Sequence, residues 1–157
     1  MTCRSSLFEA DFLNPLREIF EEKIVFNRVL GLRIDVMEAD HVLAHIAMKP
    51  ELIGHYTHQR LHGGVISATL DAMGGLAAMA AIGARHMDEP VAARLARFGK
   101  LGTIDLRIDY LRPATGARFT ARAEVLRLGS RVASTRMEFF DQDGKLLSTG
   151  AGAYIVS

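Results

Sequence analysis

The sequence predicts an α+β fold in which one long apolar helix is enclosed by a curled antiparallel sheet. Three observations carry this reading. Residues 63 to 84 form a twenty-two-residue run rich in Ala, Gly, Met and Leu, longer than any ordinary strand. After residue 102 hydrophobicity alternates with a period of two through four segments separated by turns. Two more alternating segments precede the helix, which gives six strands in all.

The elements follow in chain order. Phe8, Phe12, Leu13, Leu16, Ile19, Phe20 and Ile24 recur at helical spacing and mark a leader over residues 1–30. Pro15 divides it, and the sequence predicts a helix starting near Asn14, with Asn14 as N-cap and Pro15 in the first turn. Leu32, Ile34 and Val36, then Val42, Ala44, Ile46 and Met48, predict two antiparallel strands about a turn at Ala39-Asp40. Residues 50 to 61 read as a loop. The long helix is apolar nearly all round and must be buried nearly all round. Gly74-Gly75 weakens it by about 1 kcal/mol per glycine relative to alanine and lets another backbone or side chain come close. A short helix over 91–98 follows, as either a lid or a connector.

The last four strands are read from Ile104, Leu106, Ile108 and Tyr110, from Phe119, Ala121, Ala123 and Val125, from Ala133, Thr135, Met137 and Phe139, and from Leu147, Thr149, Ala151, Ala153 and Ile155. Turns fall at Pro113–Gly116, Gly129-Ser130 and Asp143-Gly144. A sheet has one inner face and a helix has a circumference, so one helix face is left for the leader or for a second subunit to cover.

Composition narrows the function. At 157 residues the chain is read as one domain over 1–157, with enough length to bury a core without staples. Apolar residues make up 49% and charged residues 24%, which excludes a disordered tail. The net charge of +1 argues against a nucleic-acid surface. The longest uncharged run, Ala72 to Ala84, is too short for the roughly 20 residues of a membrane span. Charges interleave with the apolar residues of the leader, so no signal peptide is expected. The one cysteine, Cys3, makes no internal disulfide, and a reducing cytoplasm is the expected compartment.

Two features of the long helix carry chemistry. Asp71 is its only charge between Gly63 and Ala84. A buried unpaired carboxylate costs several kcal/mol, so Asp71 is an ion-pair partner of an arginine at an interface, part of a local solvated patch, or a functional group. His62-Gly63-Gly64 opens the helix, where free N–H groups and the positive dipole end favour an oxyanion. The same tripeptide also serves as a plain turn into the helix. Eight residues separate Gly63 from Asp71, or roughly 12 Å of helix axis. The two cannot reach one carbonyl carbon from the same helix. If they cooperate, two helices related by a two-fold must supply one each.

Leu61-His62-Gly63-Gly64, Asp71 nine positions after the histidine, Gly102-Thr103-Ile104-Asp105-Leu106 and Tyr110-Leu111-Arg112-Pro113 resemble the hotdog-fold acyl-CoA thioesterases. The likeness covers residues 25 to 156. It lies with the phenylacetate-degradation branch, and more nearly with bacterial medium- and long-chain acyl-CoA thioesterases. The resemblance implies a hotdog helix wrapped by a six-stranded sheet. It implies a homodimer joined sheet edge to sheet edge, often a dimer of dimers, that hydrolyses acyl-CoA without metal or prosthetic group. Coenzyme A enters only as part of the substrate.

Carried over by residue, the resemblance makes Asp71 the catalytic carboxylate, as general base or nucleophile. It makes Gly63 the N–H donor to the thioester oxygen, with Gly64 beside it, and His62 the residue that shapes that loop. Thr103 takes the place of a serine or threonine beside the attacking water. Relatives carry an asparagine six or seven residues before the histidine; here Tyr56 and His55 stand there, and His55 is the candidate substitute. His58 and Gln59 share that loop. His55, His58 and His62 have no carboxylate or cysteine at ligand spacing, so no metal is expected. Fifteen arginines stand against four lysines. Arg112, Arg127 and Arg131 are candidates for the coenzyme A phosphates, because a planar guanidinium suits them. The Phe-rich leader closes the core or roofs an acyl pocket. Val65, Ile66, Leu70 and Met73 favour an aliphatic acyl group. The alternatives are a hotdog dehydratase or hydratase and a non-catalytic acyl-thioester-binding protein. The joint presence of Asp71, Gly63 and Thr103 counts against the last of these; the missing asparagine counts for it.

Overall fold

A computed structural model describes residues 7–157; Cys3 lies outside the described residues. The leader comprises helix α1 (Ala10–Glu18), a π-turn (Ile19–Lys23) and helix α2 (Val25–Leu30). Strands β1 (Arg33–Met37) and β2 (Val42–Ala47) follow, then a small ladder of β3 (Ile53–His55) with β4 (Arg60–Leu61). Helix α3 spans Gly63–Arg85, and α4 spans Val91–Ala96. Strands β5 (Gly102–Tyr110), β6 (Arg118–Leu128), β7 (Val132–Asp141) and β8 (Leu146–Ile155) end the chain. The six-stranded sheet runs β1-β2-β6-β7-β8-β5, antiparallel throughout. Its edges are therefore β1 and β5.

Helix α3 packs across this sheet, against β2, β6, β7, β8 and β5. Leu70, Met73, Leu76 and Met79 are fully buried, each contributing about 1.5–3 kcal/mol. The sheet approaches closely because Gly74 has no side chain: a Cβ there would sit 2.1 Å from the Tyr154 hydroxyl oxygen. By length and composition α3 is apolar enough to cross a membrane, yet most of it is buried inside the protein.

The leader covers the face of α3 that the sheet leaves open. Phe8, Phe12, Leu16 and Phe20, four residues apart, are all buried, and the Phe12 ring lies where a Cβ on Gly83 would be. This stripe explains why α1 starts at Ala10, capped by Glu9, with Pro15 inside it rather than at its start. The proline forfeits one bond to the Asp11 carbonyl, and burial of the aromatic stripe outweighs that loss. Segment 91–98 is tied to the leader: buried Arg94 donates to Glu9 at 2.6 Å and lies 5.0 Å from the Phe12 ring centre. That hydrogen bond, foremost, holds the Glu9 carboxyl below its ordinary value.

The π-turn fastens the leader to the sheet. Glu21, nearly buried, accepts the Ile34 N–H of edge strand β1 at 2.7 Å and pairs with Arg33 at 3.1 Å and Arg17 at 3.2 Å. Glu21→Ala is expected to lower stability by about 2–3 kcal/mol, read as a drop in the urea midpoint, because it strips a charged acceptor from a buried N–H.

Three local readings are corrected. Residues 50 to 61 are not all loop, since β3 and β4 pair there through Ile53 and Leu61. In β1 a bulge after Ile34 puts Met37, not Val36, in the core. In β8 the inward face is Ser148, Gly150, Gly152 and Tyr154, not the expected Leu147-to-Ile155 alternation, although Leu147 is also buried. Apolar alternation misled here because small residues must face the helix: a Cβ on Gly150 would press on Ile108, Met137 and Leu70.

Candidate active site

Asp71 lies in the third turn of α3, facing the gap between β8, β5 and the leader. Thr103 Oγ1 donates to its Oδ1 at 2.8 Å. The Tyr154 hydroxyl sits 2.9 Å from the Asp71 carbonyl oxygen and 3.2 Å from the same Oδ1. Two hydroxyls thus hold one carboxylate oxygen, and Oδ2 has no partner among the described residues. Asp71 is half-buried, and no arginine of its own chain pairs with it among the described residues. It opens on an apolar pocket of about 240 Å³ lined by Phe20, Ile24, Phe26, Gly75, Phe98 and Leu101, among others.

Tyr154 is 1% exposed. Burial first, then the Asp71 charge, pushes its phenol well above the ordinary value of 10.0, so it donates throughout the working range. Above pH 10 the unfolded chain loses this proton and the folded chain keeps it. Stability must therefore fall as pH rises, by up to about 1.4 kcal/mol per pH unit from this one group. Urea unfolding between pH 9 and 11 is expected to be less steeply pH-dependent in Tyr154→Phe by that proton.

The second half of the site is the start of α3. His62 is the N-cap, and its Nδ1 accepts the Gly64 N–H at 2.8 Å. That fixes Nδ1 as the unprotonated ring nitrogen and gives His62 the loop-shaping place. The Tyr110 hydroxyl donates to the Gly63 carbonyl at 3.0 Å. The Gly63 N–H has no partner among the described residues. A second pocket, of about 330 Å³, lies here between Arg60, Gly63, Tyr110 and Arg112.

The remaining candidates separate. His55, Tyr56, His58 and Gln59 form the exposed β3–β4 hairpin and contact each other. The His55 and His58 rings are 4.7 Å apart, Thr57 bonds His55 at 3.0 Å, and Gln59 donates to the Tyr56 carbonyl at 2.7 Å. His55 does not bond Asp71 or Gly63 within the chain. Arg112 lines the Gly63 pocket, though one of its nitrogens already donates to the Leu146 carbonyl at 2.8 Å. Arg127 and Arg131 flank the β6–β7 turn, which packs beside the C-terminal end of α3, roughly 20 Å along the axis from Asp71. No group of three or more metal-ligating side chains occurs among the described residues. Sequence reasoning missed Tyr154 and the anchoring role of Tyr110. The Gly74-Gly75 pair was the signal for Tyr154, since a glycine in a buried helix leaves room for a large neighbour.

Residues 58–148 match the thioesterase superfamily model. The chain is 36% identical over 144 residues to the medium/long-chain acyl-CoA thioesterase YigI of Salmonella typhimurium, and 34% identical to YigI of Escherichia coli K12. Each match covers 92% of this chain and 93% of the relative. A crystal structure from Shewanella oneidensis, described as related to the thioesterase superfamily, superposes with a TM-score of 0.90 at 41% identity, covering 98% of this chain and 100% of that one. Mouse thioesterase superfamily member 2 shares the fold, with a TM-score of 0.73 at 20% identity. A hotdog helix, six wrapping strands and these matches give one result: the chain belongs to the thioesterase superfamily.

Proposed function

We propose that this protein hydrolyses medium- to long-chain acyl-CoA thioesters to a free fatty acid and coenzyme A, in a site shared by two subunits and without a metal or prosthetic group. The observation that carries the reading is Asp71, held by two hydroxyls through Oδ1 and open at Oδ2, at the mouth of an apolar pocket. Asp71 Oδ2 takes a proton from water, and the water oxygen bonds to the thioester carbon. The oxyanion that forms accepts the Gly63 N–H. Collapse breaks the C–S bond, and the leaving thiolate recovers the proton.

Edge strand β5 supports the sharing. Thr103 near one end touches Asp71, and Tyr110 near the other touches Gly63. Antiparallel pairing of two β5 edges about a two-fold between Leu106 and Arg107 sets Thr103 of one subunit opposite the partner's Tyr110. Asp71 then faces the partner's Gly63, as the 12 Å separation within one helix requires. The names of the YigI relatives support the acyl-CoA substrate class.

Thiol release from a series of acyl-CoAs, short to long plus one aryl, tests the reading. Release that depends on chain length is expected. Tight binding with no release from any substrate would make the protein a non-catalytic acyl-thioester binder. Hydration of an enoyl substrate without thiol release would make it a hydratase.

A further inference from the structure

The pocket beside Asp71 runs from an exposed mouth to a buried inner end. At the mouth stand Thr103 and Phe26, and Phe26 is 60% exposed. One helical turn further along α3 is buried Gly75, and facing it is Phe20, 2% exposed. Phe98 packs edge-on against Phe20, with ring centres 5.7 Å apart and planes at 73°. The inner end is lined mainly by carbon. Its nearby amide, Asn27, is engaged, because its Nδ2 donates to the Phe20 carbonyl that the π-turn leaves free.

We infer that Gly75 and the Phe20–Phe98 pair set the length of acyl chain this protein accepts, with the chain's methyl end against them. The inference rests on the thioesterase reading. A dry protein cavity of about 150 Å³ takes benzene, six carbons. A pocket of about 240 Å³ therefore takes roughly nine or ten aliphatic carbons at similar packing. Apart from the Asn27 amide, the groups at that end are hydrocarbon, so plain alkyl chains are the class favoured. Gly75 is the natural gauge. A Cβ there would lie 3.4 Å from the Leu101 side chain and 3.9 Å from the Phe20 ring, in ordinary contact. Alanine fits, and anything larger fills the chamber.

The test is the chain-length profile of kcat/KM for the whole protein, Gly75→Leu and Phe98→Ala, using butanoyl-, decanoyl- and tetradecanoyl-CoA. Each buried methylene is worth about fourfold. Gly75→Leu is expected to lower the decanoyl-to-butanoyl ratio at least tenfold. Phe98→Ala is expected to raise the tetradecanoyl-to-decanoyl ratio about tenfold. If Gly75→Leu does not fold, Gly75→Ala should move the ratio the same way by a smaller factor. The affinities of S-alkyl-CoA thioethers of the same lengths, measured by calorimetry, read the chamber without turnover. Shifted thioether affinities with no thiol release from any form would support the chamber and overturn only the thioesterase reading. Thiol release with unshifted ratios in folded variants of both kinds would overturn the inference.

Discussion

Asp71→Asn is expected to lower thiol release by about 10²–10⁴-fold, the range for loss of a positioned general base, while the protein stays folded. The geometry separates the two effects. Asparagine keeps an oxygen where Oδ1 accepts from Thr103 at 2.8 Å and from Tyr154 at 3.2 Å. Its amide nitrogen takes the place of Oδ2, which has no partner to lose. The variant therefore keeps its hydroxyl bonds and its packing on α3, and its melting temperature should stay within a few degrees of wild type. What it loses is the ability to take a proton from water. Steady-state thiol release and thermal unfolding on one preparation check both halves. A folded Asp71→Asn protein that releases thiol within about threefold of wild type would remove Asp71 from the chemistry.

How far the sequence could be read differs from element to element. Helix α3 was legible because its length and composition leave no other choice, and Asp71 stood out as the charge that disturbs it. The strands were legible as strands, but their inward faces were not always. On β8 the apolar residues Ala151, Ala153 and Ile155 point outward or sideways, while Ser148, Gly150 and Gly152 face the helix. That choice depends on how close α3 comes, which no local pattern encodes. It also decides that Tyr154 reaches Asp71. In the leader Pro15 looked like a helix start, because local propensity does not contain the pull of Phe12 toward Gly83. The two halves of the candidate site, Asp71 with Thr103 and Gly63 with His62, were legible by spacing and resemblance. The hairpin histidines sit apart from both halves within the chain. His55 was matched by sequence position, and its ring lies against those of Tyr56 and His58 in its own hairpin.

Gly63→Pro is expected to cost about 10²–10³-fold in thiol release, the range for one oxyanion donor, and the substitution suits the backbone it enters. Gly63 is the first residue of α3, a position proline favours because its N–H lies outside the helical ladder. The residue before a proline must be extended, and His62 already is, at φ −65° and ψ 136°. Of the three added carbons, Cβ meets the Tyr110 ring at 3.3 Å, a tight contact that a small ring shift relieves. The helix, the His62 cap on Gly64 and the fold are kept, and the free N–H is lost. The variant also tests where the partner of that N–H resides. On the proposed shared site, each site of a two-fold dimer takes Asp71 from one subunit and Gly63 from the other. When equal amounts of Asp71→Asn and Gly63→Pro subunits are dissociated and reassociated at random, about half the dimers are mixed. Each mixed dimer has one site with both residues intact and one with neither. Activity should return to about a quarter of wild type from two nearly inactive proteins. If both residues acted from one chain, the mixture would stay as inactive as its parts.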